Sequence, residues 1–331
     1  MRLPRSATLP IVRATRTLLP LAGLLLSCGA SEPHTTPDGG GSTSAEPTTA
    51  ATATTTTTST TEDGSTSAAP ASSSTAADTS STTDPSSTSG SGASTGPGIE
   101  PSSARHTPIP IGTDGAPQGY WEYLPPNYDE GLDPPPPLLI FLHGLLANGD
   151  GNADLDKVLE TAIPSLIEND DWPHDRPFVV LSPQYGGAQC VGPSEIESFI
   201  AWALEHYDVD PTRVYLTAIS CGAYGGWRYL AQVPQTQIAA TVLISGDGIA
   251  PFDQAGCGLA RAPIWAFHGD ADDTVPVTGT TVPVEGLLQC DPAPDVQMTI
   301  YPGVGHNAWR RTYDGSAGYD VFAWMLGYPA R

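Results

Sequence analysis

Arg213-Val214-Tyr215-Leu216-Thr217-Ala218-Ile219-Ser220-Cys221-Gly222-Ala223-Tyr224-Gly225-Gly226-Trp227 reads as a buried strand that runs into a tight turn and then a helix. Val214, Tyr215, Leu216, Thr217 and Ile219 are β-branched, aromatic or apolar, as the middle of a sheet requires. Ser220 and Gly222 follow, with small residues at Ala218 and Ala223. A serine on a sharp strand-to-helix turn needs small neighbours, because the backbone there is strained and closely packed. That is the mechanical content of the G-x-S-x-G nucleophile elbow, here with Ala218 in place of the first glycine, a change that a slightly wider turn should tolerate. The competing reading is an ordinary strand, turn and helix that happens to carry a serine.

Strands of the same kind recur on both sides. Leu138-Leu139-Ile140-Phe141-Leu142, Phe178-Val179-Val180-Leu181, Thr241-Val242-Leu243-Ile244-Ser245 and Pro263-Ile264-Trp265-Ala266-Phe267 are continuous apolar runs, the pattern of strands covered on both faces. Gln118 to Leu124 and Val296 to Tyr301 complete the strands. Helices are expected over Leu155 to Ile167, Ala223 to Gln232, Val284 to Leu288 and Tyr319 to Leu326. Another opens at a capping box, Ser194-Glu195-Ile196-Glu197, and runs to about His206. Strands alternating with helices predict an α/β fold, a mostly parallel central sheet with helices on both faces. Ligands in such sheets bind beyond the carboxyl ends of the strands. Only seventeen residues separate Ser245 from Pro263, too few for a large lid domain.

Three strand ends carry reactive residue types: Ser220, then His268-Gly269-Asp270-Ala271-Asp272-Asp273, then Gly303-Val304-Gly305-His306. A serine hydroxyl is a weak nucleophile until a base within hydrogen-bond reach takes its proton, and that base needs a carboxylate to orient it. The chain order is Ser, Asp, His. His306 lies in a glycine-flanked loop suited to the base. His143 and His268, each before a glycine directly after a strand, read as structural. His206 ends a helix, where its charge complements the dipole. Asp270, Asp272 and Asp273 compete for the acid. The oxyanion hole is expected from backbone N–H groups, one at Cys221 and one in the loop after Leu138–Leu142, at Leu145.

The remainder of the chain is of two other materials. Residues 1–28 have a positive start (Arg2, Arg5, Arg13, Arg16), an apolar core from Leu18 to Leu26 and an ending Leu25-Leu26-Ser27-Cys28. They read as an export signal. The ending resembles a bacterial lipobox, so Cys28 is the expected site of lipidation and membrane anchoring, with plain secretion as the alternative. Residues 29–103 are mostly Ser, Thr, Ala, Gly and Pro, with no aromatic residue between Cys28 and Arg105. Such a segment cannot bury enough apolar surface to offset its chain entropy and is expected to be a disordered linker.

Residues 104–331 form the expected catalytic domain. Four of the 13 basic and eight of the 36 acidic residues precede Ala104, which leaves 9 against 28 and a formal balance of −19. This argues against a nucleic-acid partner, which needs a basic stripe. Four cysteines besides Cys28 allow three pairings, and the sequence does not choose among them. The pairs Cys190–Cys221 and Cys257–Cys290 are favoured if both lie on loops at one end of the sheet. No spacing implies a metal or an organic cofactor.

Tyr123-Leu124-Pro125-Pro126-Asn127-Tyr128-Asp129, Phe141-Leu142-His143-Gly144, Asp208 to Thr217, His268-Gly269 with Asp272 and Val275-Pro276, and Gly303-Val304-Gly305-His306 with Trp309 together resemble secreted serine hydrolases of the α/β-hydrolase superfamily. The resemblance covers about residues 118–328. The nearest group comprises esterases often called predicted peptidases, akin to feruloyl esterases, polyhydroxyalkanoate depolymerases and dienelactone hydrolases. It implies Ser220, Asp272 and His306 as triad, since the family's carboxylate stands four residues after the histidine of the His-Gly pair. Cys221 departs from that group, which usually has methionine there. The cysteines also differ from the fungal feruloyl esterase arrangement.

The expected function is that of an extracytoplasmic carboxylic ester hydrolase acting through an acyl-enzyme, as a monomer, on an ester substrate attached to a polysaccharide or other polymer. The alternatives are a serine peptidase on the same triad and a non-catalytic surface-binding module.

Overall fold

The computed structural model describes residues 100–329. The expected export signal, Cys28 and nearly all of the expected linker lie outside the described residues. Ser102 and Ser103, which composition assigns to the linker, already belong to the fold. They form a 3-10 turn, and the Ser102 hydroxyl donates to the Ile167 carbonyl at 2.8 Å.

Eight strands form one sheet: β1 (His106–Ile109), β2 (Tyr120–Tyr123), β3 (Leu138–Leu142), β4 (Val179–Pro183), β5 (Val214–Ile219), β6 (Ile238–Ile244), β7 (Ile264–Gly269) and β8 (Val296–Tyr301). Their spatial order is β1-β2-β4-β3-β5-β6-β7-β8. β2 runs antiparallel to both neighbours, and every pair from β4 onward is parallel. β5 is therefore central, and all six of its residues are buried, as the apolar run requires.

Alternation along the strands feeds two cores. Leu138, Ile140 and Leu142 of β3 point to one face, where α2 (Pro193–His206), α3 (Ser220–Gln232) and α5 (Thr278–Leu287) supply Phe199, Trp227 and Leu287. Leu139 and Phe141 point to the other, covered by α1 (Ala162–Glu168), α6 (Trp309–Tyr313) and α7 (Val321–Leu326) through Ile163, Tyr313 and Phe322. The connection from β6 to β7 holds α4 (Ile249–Ala255) and a 3-10 turn over Gly256–Leu259. Among the described residues no helix is long and apolar enough to cross a membrane.

Several local expectations need correction. The helix expected over Leu155 to Ile167 is broken into a 3-10 stretch, Leu155–Glu160, and α1, with Ala162 at φ 59° between them. Pro164 has no N–H and fits only a first helical turn, so the helix restarts just before it. The N-cap lies two residues before the expected Ser194, and only half of a capping box forms, because Gly192 has no side chain to accept an N–H. Pro193 takes the first helical position, where its fixed φ is an advantage, and the Glu195 carboxylate accepts the Gly192 N–H at 2.8 Å. α5 is twice as long as the expected Val284 to Leu288, with Pro283 inside it. β1, α4 and α6 were not expected.

Both disulfides form with the favoured pairing, Cys190–Cys221 and Cys257–Cys290. The expectation that both lie at one end of the sheet is wrong. Cys221 directly follows the carboxyl end of β5, whereas Cys257 and Cys290 precede the amino ends of β7 and β8.

Candidate active site

The site begins with the turn at the end of β5. Ser220 opens α3 with φ 48°, a left-handed conformation that a non-glycine residue holds only under surrounding constraint. That constraint comes from packing. A Cβ at Gly222 would run into the carbonyl groups of Leu142 and His143, so the start of α3 rests directly on the end of β3. Ala218, which stands where the elbow pattern has glycine, is fully buried near the end of β5. Its methyl faces Gly226, where an added Cβ would already lie 3.8 Å away.

The three residues that the sequence singled out converge here. The Ser220 hydroxyl donates to His306 Nε2 at 2.8 Å, and His306 Nδ1–H donates to Asp272 Oδ2 at 2.7 Å. The acceptor at Nδ1 puts the imidazole proton there and leaves Nε2 free to receive the hydroxyl. The imidazole is 21% exposed and reachable, while the Asp272 carboxylate has no exposed surface. Burial acts to raise the pKa of that carboxylate, but hydrogen bonds from His306 and from the N–H groups of Val275 and Thr274 outweigh it, and the net direction is down. Asp272 therefore stays ionised at neutral pH. Asp270 serves elsewhere, accepting the Gly303 N–H at 2.6 Å, and Asp273 is exposed.

The base loop is fixed at several points. Ala271 N–H donates to Val304 O at 3.0 Å, and the Ser245 hydroxyl donates to His306 O at 2.9 Å from a residue itself at φ 54°. Trp309 stands edge-on to the His306 ring at 5.1 Å, with its indole N–H on Thr161.

Leu145 follows Gly144, where an added Cβ would stand 3.6 Å from Ser220 Cβ. The loop after β3 thus lies beside the nucleophile. Among the described residues, neither the Leu145 nor the Cys221 N–H has a hydrogen-bond acceptor, as a pair of oxyanion donors requires. The Cys190 disulfide ties Cys221 to the loop preceding α2, and Asn148 donates to Gly187 O and Gln189 O of that same loop.

Of the two histidines read as structural, His143 keeps to that reading and His268 does not. His143 Nε2 accepts the Tyr185 N–H at 3.0 Å and Nδ1–H donates to Gly144 O at 2.8 Å. Burial lowers its pKa to about 4, so it is neutral and organises backbone only. His268 Nε2, by contrast, lies 3.1 Å from Asp272 Oδ2. Its four-residue spacing from the acid was the available signal. The remaining described histidines lie elsewhere: His106 pairs with Glu168, His174 with Arg105, and His206 with the Trp202 carbonyl on α2.

A cavity of about 660 Å³ adjoins the base loop and is lined by Thr161, Asn169, Asn307, Trp309 and Arg310 among others. None of Ser220, Asp272 and His306 lines it, so it neighbours the reacting groups rather than containing them.

No protein-family model and no curated protein sequence matches the chain. Solved structures do. A thermostable esterase superposes with a TM-score of 0.52 at 22% identity, over 69% of this chain and 64% of that one. This chain thus spans less than two thirds of the esterase's length. An S-formylglutathione hydrolase from Agrobacterium tumefaciens reaches 0.49 at 13% identity, over 68% and 95%. At these identities the likeness concerns the fold, and the described residues have the α/β-hydrolase fold.

Proposed function

We propose that the chain is a serine carboxylic ester hydrolase. The observation that carries this is the unbroken series Ser220 Oγ, His306 Nε2, His306 Nδ1, Asp272 Oδ2, with links of 2.8 and 2.7 Å, set beside two unpaired N–H groups. Ser220 Oγ attacks the ester carbonyl while its proton passes to His306 Nε2. Asp272 stabilises the imidazolium, and the N–H groups of Cys221 and Leu145 hold the oxyanion. Collapse breaks the bond to the leaving alkoxide, which takes the proton from His306. Water then repeats the sequence on the acyl-enzyme and releases the carboxylic acid.

An open approach supports a bulky, polymer-attached ester. Leu145 and Leu146 beside the nucleophile are 47% and 91% exposed, and the β6–β7 connection is short. The polar cavity next to Trp309 offers hydrogen-bonding groups to a hydroxyl-rich leaving group such as a sugar. An export signal with Cys28 as a lipid anchor would place the reaction outside the cytoplasm.

The test is a panel of acetyl, feruloyl and hydroxyalkanoate esters together with peptide substrates, with Ser220→Ala as control. Ester turnover that is lost in the variant is expected. Cleavage confined to peptides would transfer the same triad to a peptidase. Full activity in Ser220→Ala would remove the proposal.

A further inference from the structure

We propose that His268 is a positioning residue for the reaction, holding Asp272 Oδ2 in place beside His306, with Thr280 fixing its tautomer. This rests on the Ser220–His306–Asp272 reading.

The case is one of donors and acceptors. A buried carboxylate has about four lone-pair sites to satisfy. Asp272 Oδ1 accepts the N–H groups of Thr274 and Val275, both at 2.9 Å. Oδ2 accepts His306 Nδ1–H at 2.7 Å, and His268 Nε2 lies 3.1 Å from the same oxygen, an electrostatic contact rather than an aligned hydrogen bond. Nε2 also lies 3.0 Å from Val275 O. With two acceptors before it, Nε2 must carry the proton. Nδ1 is then an acceptor, and the buried Thr280 hydroxyl of α5 meets it at 2.8 Å. Burial lowers the pKa of His268, and the contacts to Val275 and Asp272 only partly oppose this. The ring is thus a neutral donor. A series runs from Thr280 through His268, Asp272 and His306 to Ser220, and a single carboxylate oxygen joins its two imidazoles.

Without His268, Oδ2 would lose the polar N–H edge of the buried imidazole beside it, and the carboxylate would be freer to rotate away from His306. Its alignment with the base would suffer even though the residues that touch substrate remained in place.

The experiment compares His268→Leu, His268→Gln and Thr280→Val with the full chain. Gln carries an N–H near the position of Nε2, and Leu carries none. His268→Leu is expected to lower kcat about 10- to 100-fold with KM little changed, as loss of an outer partner does for liganding histidines. His268→Gln should restore most of kcat, and Thr280→Val should lower it several-fold. The low-field proton resonance of His306 Nδ1–H, which needs no turnover, should move in the Leu variant and return in Gln. If Leu fails to fold, the Thr280 and Gln variants decide. Wild-type kcat and an unmoved resonance in folded variants would overturn the clamp, as would equal losses in Leu and Gln. A wild-type protein without ester turnover would remove the proposed function instead, while the resonance still tests the clamp.

Discussion

Two His-Gly pairs end two strands of the sheet, His143-Gly144 after β3 and His268-Gly269 after β7. As sequence they are interchangeable. In the structure both imidazoles are buried and neutral, yet they hold different things. His143 bonds only to backbone, the Tyr185 N–H and the Gly144 carbonyl, and so shapes the loop that offers Leu145. His268 reaches a side chain, the carboxylate that orients the base. The glycines differ as well. Beside Gly269 there is no space, because an added Cβ would run into the carbonyl oxygens of Val304 and Gly305 in the base loop. Beside Gly144 there is ordinary contact distance to Ser220. One dipeptide marks the oxyanion side of the site and the other the acid–base side. Their equivalence in sequence conceals a division of labour set by what lies opposite each.

The sharpest way to break this comparison is to add one methyl group at each glycine. Gly269→Ala should push the Val304–His306 segment off its position. The expected losses are about 100-fold in activity, the usual cost of misplacing a reacting group by about 1 Å, and about 1–3 kcal/mol in stability. Gly144→Ala, with φ −75° and open contacts, should change stability by less than about 1 kcal/mol. Denaturant melts and initial rates measured side by side would read both. Equal effects at the two positions would end the distinction.

A smaller difference is expected between the disulfides, which repeat the contrast at opposite ends of the sheet. They close separations of 31 and 33 residues, so each removal should cost about 3–4 kcal/mol by loss of chain constraint. Only one of them touches the site. Cys190→Ser with Cys221→Ser should also lower kcat about tenfold, well short of the 10²–10³ that outright loss of an oxyanion donor costs. Cys257→Ser with Cys290→Ser should leave kcat unchanged at temperatures where both proteins are folded. Rates and unfolding midpoints on the two double variants would separate the effects.

What the sequence made legible follows from burial. β3, β5, β6 and β7 are covered on both faces, so their apolar runs stand out, and the loops at their carboxyl ends follow from the topology. β1 was invisible because His106-Thr107-Pro108-Ile109 lies on the sheet edge, carries a proline and has two exposed residues. The first half of α5, Thr278-Gly279-Thr280-Thr281, is made of poor helix formers and leaves little periodic signal, although the helix runs through it and through the buried Pro283. In the site, Ser220 and His306 were visible because chemistry requires those residue types at strand ends, whereas Asp270, Asp272 and Asp273 stayed equivalent until the family resemblance pointed to Asp272. The role of His268 stayed hidden, because its four-residue spacing from Asp272 points to the acid and says little of which way the imidazole faces across the turn. Ser245 was equally hidden: it reads as the end of an apolar strand, and only its left-handed backbone aims the hydroxyl at the His306 carbonyl.

Everything proposed for the site depends on activation of Ser220 by His306 and Asp272. The most direct measurement is covalent labelling by a fluorophosphonate, with the modified peptide identified by mass. The account predicts one adduct, on Ser220, absent in Ser220→Ala and formed far more slowly in Asp272→Asn. No adduct on the folded protein, or an adduct on another residue with Ser220 untouched, would contradict it.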